Sequence, residues 1–151
     1  MVEYSKLSRN TDMIKLYSEK ILALATEIPF TDCLASPDVS ITKRSPVCGS
    51  TIKIELVLRN EKILKFSQNV KACALGQAAA SIVGDVVIGL SKDDIQLAHD
   101  QLITMLTQNG QIPDKPFEKF EVLLPAKDYR NRHASIMLSL EAILAGLDTL
   151  N

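Results

Sequence analysis

The stretch Ser45–Gly89, SPVCGSTIKIELVLRNEKILKFSQNVKACALGQAAASIVGDVVIG, changes its period midway, and that change decides the fold. From Thr51 the apolar residues Ile52, Ile54, Leu56 and Leu58 alternate with Lys53, Glu55 and Val57. A period of two predicts a strand with one buried face. Arg59–Lys62, RNEK, predicts a turn, and Ile63–Val70 a second strand with Leu64 and Phe66 inward. After Cys73 the alternation stops and Ala, Gly and Ser dominate. That composition predicts a helix whose backbone approaches a neighbour closely, with Gly89 as its C′ residue.

Working outward, Val39–Lys43 predicts a third, edge strand, and the short connections imply antiparallel pairing. On the N-terminal side, Asp12–Ile28 carries Met13, Leu16, Tyr17, Ile21, Leu24 and Ile28 at helical spacing. IPFTDCLASPD follows as a loop, because Pro29 and Pro37 block helix continuation. On the C-terminal side, Ser91 and Asp94 resemble a capping box for a helix running to about Gln108. NGQIPDKP reads as a loop, Phe117–Leu124 as a short helix stopped by Pro125, and Arg132–Leu147 as the closing helix. Its residues Ile136, Leu140, Ile143, Leu144 and Leu147 share a face. The order of helix, strands and then helices alone is α+β: a three-stranded antiparallel sheet packed against a set of helices. At 151 residues, a single domain spanning 1–151 is expected.

Composition narrows the function. With 46% apolar and 23% charged residues the chain is ordinary globular material able to bury a core. A net charge of −1 and scattered basic residues argue against a nucleic-acid face or attraction to an anionic membrane. No apolar run is long enough for a transmembrane helix. The beginning, MVEYSKLSRN, lacks the apolar core of a secretory signal. Three cysteines, far apart and odd in number, speak against a disulfide framework and for a reducing compartment, so a cytoplasmic location is expected. No Gly-rich phosphate loop, Ser-His-Asp arrangement or paired-carboxylate pattern is present.

The chemistry gathers at two cysteines. Cys48 lies in a Pro-x-Cys-Gly turn before one strand, and Cys73 lies after the next. In a hairpin those two ends are the same end of the sheet, so both sulfurs are expected at one place. Cys73 also opens a helix, whose free N–H groups and positive dipole end favour a thiolate, with Lys71 adding to the effect. Read singly, each cysteine is as well a small buried hydrophobe, the expected role of Cys33. His133, at the start of the last helix, is a candidate metal ligand or else a surface or capping residue. His99, inside a charged helix, is expected at the surface.

These segments together resemble the U-type iron–sulfur cluster scaffold proteins, the NifU N-terminal and IscU/SufU-like domains. The likeness runs from YSEKILALA through SPVCGSTIKIELVLRNEKILKFSQNVKACALGQAAASIVGDVVIGLSKDD to FEVLLPAKDYRNRHASIMLSLEAILAGL, nearly the whole chain. It implies that Cys48 and Cys73 are the first two site cysteines, binding metal and accepting sulfur. Ser50 stands where the family carries a ligating Asp. Of the third family cysteine, matching HASI to His-Cys-Ser-Ile places Ala134 there and keeps His133 as the adjacent His. Matching on Ala142 and Ile143 places Ser135 there instead. The implied ligand set is Cys48, Cys73 and His133, with Ser50 as a weak fourth.

The resemblance implies a scaffold rather than an enzyme in its own right. Sulfur would come from a cysteine desulfurase, a transient 2Fe–2S cluster or iron would be held, with zinc as another occupant, and the cluster would pass to apo iron–sulfur proteins. Leu123–Lys127, LLPAK, partly echoes a chaperone-binding segment of the IscU branch. Two other readings stand beside this one: a SufU-like zinc-dependent sulfur acceptor, and a member that lost the site and acts only through interactions.

Overall fold

The computed structural model describes residues 18–150. The residues 12–17 of the expected first helix lie outside them. Helix α1, Glu19–Thr26, opens on Ser18, whose hydroxyl accepts the Ile21 N–H. Then come β1 (Val39–Arg44), β2 (Thr51–Arg59), β3 (Lys62–Lys71), α2 (Ala74–Val86), α3 (Lys92–Thr107), a 3₁₀ helix (Glu118–Asp128) and α4 (Arg130–Asp148). The strands form an antiparallel sheet of order β1-β2-β3. The α+β class and the sheet predicted from the sequence are those observed.

The β2–β3 connection is the two-residue loop Asn60-Glu61, with Arg59 paired to Lys62. Both loop residues have positive φ, 55° and 64°, the geometry whose twist matches that of the flanking strands. One detail departs from the alternation. Leu58 pairs with Ile63 whereas Val57 pairs with Lys65, so Leu64 is an extra residue in β3. The bulge reverses the faces: Ile63 and Phe66 are buried, and Leu64 is 45% exposed. The inward assignment of Leu64 is therefore corrected.

Ile52, Ile54, Leu56, Ile63 and Phe66 form the inner face of the sheet, and the helices close over it. Helix α2 is buried on nearly every side, which explains its Ala and Gly content. It ends at Val86, before the expected Gly89, whose N–H instead donates to the Ile63 carbonyl at 2.7 Å. The α3 capping box of Ser91 and Asp94 is formed in both directions.

The segment expected to stop at Pro125 continues through it as 3₁₀ turns to Asp128. Phe117, Phe120, Leu123 and Ala126 are all buried. A spacing of three is the 3₁₀ repeat, in which residues i and i+3 eclipse. Core contact along that edge holds the run together despite the donor that proline lacks. Helix α4 starts at Arg130, two residues earlier than expected, and lies over β1 and β2, where a Cβ at Gly146 would meet Ile41 and Ile54 at 3.4 Å.

Candidate functional site

The β1–β2 turn is held by two backbone bonds, Ser45 N–H to the Ser50 carbonyl (2.8 Å) and Gly49 N–H to the Ser45 carbonyl (2.9 Å). Gly49 takes φ 73°, a left-handed conformation that glycine adopts without steric cost. This turn lifts Cys48 into solvent. Thr51 pairs with Lys71, so the start of β2 and the end of β3 lie side by side. Cys73, two residues beyond Lys71, is the N-cap of α2 and half-buried. Both cysteines line one shallow pocket with Gly49, Ser50, Lys71 and Gln77. The convergence expected from the hairpin is present.

Hydroxyls connect the two sulfurs. Cys48 Sγ lies 3.4 Å from Ser45 Oγ and 3.2 Å from Ser50 Oγ. Ser50 Oγ lies 3.2 Å from Ser135 Oγ, which in turn lies 3.5 Å from Cys73 Sγ. Ser45, Ser50 and Ser135 are buried beneath the exposed thiol. Burial by itself raises the Cys48 thiol. The hydroxyls of Ser45 and Ser50, the Ser50 N–H and the Ser135 hydroxyl outweigh it, lowering it from 9.0 to about 7. Hydrogen bonds to the charged form account for the direction.

Gly76 makes room for Ser135. A Cβ at position 76 would lie 2.1 Å from Ser135 Oγ and 3.2 Å from the Ser135 carbonyl oxygen. The first turn of α2 and the second turn of α4 therefore touch where only a glycine fits. Of the two residues that sequence matching offered opposite the cysteines, Ser135 is the one in contact with them. Gly76 and Ser45 were not singled out from the sequence. Their only signals are a glycine inside an alanine-rich helix and a serine opening the cysteine turn.

His133 is elsewhere. Its Nε2 donates to the Ala126 carbonyl at 2.9 Å, and it lines a separate cavity with Leu106, Asn109, Lys127, Tyr129 and Arg130. Two positions along an α-helix turn a side chain by roughly 200°. A helix that aims Ser135 at the cysteines thus aims His133 away from them, and the expected trio of Cys48, Cys73 and His133 does not assemble. Among the described residues no group of three His, Cys, Asp or Glu side chains is placed to hold a metal ion.

Three further expectations change. Cys33 is exposed rather than a buried hydrophobe. His99, expected at the surface, bridges α3 to α4 through Glu141 Oε2 at 3.2 Å. In LLPAK, Leu123 and Ala126 are buried in the 3₁₀ helix, Leu124 and Pro125 are half-buried and Lys127 is exposed, so the segment is a packed helical edge with one accessible side. Among the described residues no helix is long and apolar enough to cross a membrane.

Solved structures similar to this chain include the following two. The N-terminal part of a nitrogen-fixing NifU-like protein from Brucella abortus is 34% identical, with a TM-score of 0.89 over 92% of this chain and 96% of that one. A protein described as an iron–sulfur cluster assembly scaffold for the SUF system, from Fervidobacterium islandicum, is 16% identical, with a TM-score of 0.80 over 89% and 98%. At that identity the second likeness is one of fold. No family model and no curated protein matches the sequence.

Proposed function

We propose a function from one premise: this chain belongs to the NifU-like family of U-type iron–sulfur cluster assembly scaffold proteins. Residues 1–151 act as one scaffold domain, which receives sulfur from a cysteine desulfurase and passes a transient 2Fe–2S cluster to apo-proteins in the cytoplasm. The observation that carries this reading is the placing of Cys48 and Cys73 in one pocket, joined through the hydroxyls of Ser50 and Ser135.

The donor set decides how the site is used. A 2Fe–2S cluster is held by four thiolates, and structural zinc takes four strong ligands. This chain supplies two thiols and neutral hydroxyls, so it does not close a zinc site, and no step is assigned to zinc. It supports half of a cluster, whose remaining ligands come from outside the chain. The cluster is cargo on this surface.

Sulfur transfer uses what the pocket does contain. The Cys48 thiolate attacks the terminal sulfur of the donor persulfide. A bond forms between Cys48 Sγ and that sulfur, the donor's S–S bond breaks, and the donor leaves as its thiolate. Ser45, Ser50 and Ser135 donate to the negative sulfur and hold it facing solvent, where a partner reaches it.

The test is anaerobic incubation with a cysteine desulfurase, sulfur-labelled cysteine and ferrous iron, followed by peptide mapping and acid-labile sulfide analysis. Label on Cys48, with iron and sulfide retained only while both Cys48 and Cys73 are present, is expected. Wild-type protein that takes neither label nor iron would show that the chain keeps the family fold without the family's work.

A further inference from the structure

We propose that Cys73 is the resolving thiol of this site: it attacks Sγ of a persulfidated Cys48, releases the outer sulfur as sulfide and leaves a Cys48–Cys73 disulfide. The inference rests on the preceding reading that Cys48 accepts sulfur, and it assigns the next step.

Three observations lead to it. The two thiols share a pocket but differ in access. Cys48 is exposed at a turn beside Val47, itself 68% exposed, while Cys73 is half-buried behind it at the head of α2. A macromolecular donor therefore meets Cys48 first, and Cys73 faces the pocket from within. Ser135 Oγ touches Cys73 Sγ and, through Ser50 Oγ, connects to Cys48 Sγ, so no bulky side chain is interposed along this path. The turn bearing Cys48 borders open space, since nothing lies within 4 Å of where a Cβ on Gly49 would be.

The absent third thiol gives the step its purpose. A cluster takes its sulfur as sulfide, and with only two sulfur ligands here a persulfide on Cys48 is reduced before that sulfur enters the half-cluster this chain holds. The step balances without an added oxidant. The Cys48 persulfide anion and the Cys73 thiol react by attack of Cys73 Sγ on Cys48 Sγ. The Sγ–Sγ bond forms, the bond from Cys48 Sγ to the outer sulfur breaks, and the outer sulfur departs with the Cys73 proton as HS⁻. The sulfane sulfur is reduced to sulfide, and the two cysteines are oxidised to the disulfide. Two equivalents of a thiol reductant, themselves oxidised to a disulfide, restore both cysteines.

The experiment loads the full reduced chain with glutathione persulfide, without oxygen or iron, and removes the excess. Sulfide release and the masses of unreduced peptides are then followed over time. Wild-type protein is expected to release one sulfide per chain as a Cys48–Cys73 disulfide accumulates, and Cys33→Ser is expected to do the same. Cys73→Ser is expected to retain one extra sulfur atom on Cys48, with a lifetime longer by on the order of tenfold or more, because the intramolecular attacker is gone. Sulfur held equally long in wild type and Cys73→Ser, or a disulfide made with Cys33, overturns the proposal while sulfur acceptance stands. Failure of Cys48 to load in either protein overturns both.

Discussion

Gly76→Ala tests the contact on which the site depends. In an exposed helix interior alanine would stabilise by about 1 kcal/mol over glycine. Here the added Cβ lands 2.1 Å from Ser135 Oγ, 2.8 Å from Ala72 Cβ and 3.2 Å from the Ser135 carbonyl oxygen. The hydroxyl can rotate away, but only by giving up Ser50 and Cys73, and such hydrogen bonds contribute about 0.5–1.5 kcal/mol each. The Ala72 Cβ and the carbonyl oxygen have no rotamer to escape into, so α2 and α4 must part, and overpacking of this kind costs about 1–3 kcal/mol. The balance is a loss of about 3 kcal/mol, or about 6–12 °C in Tm for a chain of this length. Thermal unfolding and Cys48 alkylation are measured on the same samples. Adding Ser135→Ala should recover part of the Tm, because the closest contact is removed, while leaving Cys48 sluggish. A Gly76→Ala protein as stable as wild type, with Cys48 equally reactive, would refute the close approach of the two helices.

Other perturbations probe the same geometry. Alkylation of Cys48 should rise with pH through a midpoint of about 7, and Ser50→Ala should move that midpoint up toward 9.0, since the thiolate loses a donor. A midpoint that stays put would remove the serines from the explanation. Ser135→Cys places a third thiol next to Cys73 and Ser50 and should tighten zinc or ferrous iron binding by roughly tenfold or more in a chelator competition, thiolate being a far better ligand than hydroxyl. Unchanged affinity would mean that position 135 does not share the pocket. Leu64→Lys should shift Tm by less than about 2 °C, as surface substitutions stay within ~0.5 kcal/mol; a large loss would place Leu64 in the core and deny the bulge.

What the sequence determined by itself is whatever depends on neighbours along the chain. The switch from strand alternation at Ile52–Leu58 to the small-residue helix after Cys73 was enough to establish the α+β class and the antiparallel sheet. The meeting of Cys48 and Cys73 follows from hairpin connectivity, because the two ends of a hairpin cannot be far apart. The spacing of Phe117, Phe120, Leu123 and Ala126 also holds a signal for the 3₁₀ helix, although Pro125 taken alone predicts a stop. Tertiary structure alone decided what the closing helix contributes. His133, Ala134 and Ser135 are consecutive, and any of them is compatible with the helical pattern. The choice is made by how α4 is rotated on the sheet, where Gly146 meets Ile41 and Ile54, and by the fit of Ser135 against Gly76 of α2. Those contacts join segments dozens of residues apart, and a rotation of one residue, roughly 100°, changes which side chain faces the cysteines. Local periodicity identifies a helix's buried face, whereas the atom that reaches a given sulfur is settled only when close packing leaves one orientation without a clash.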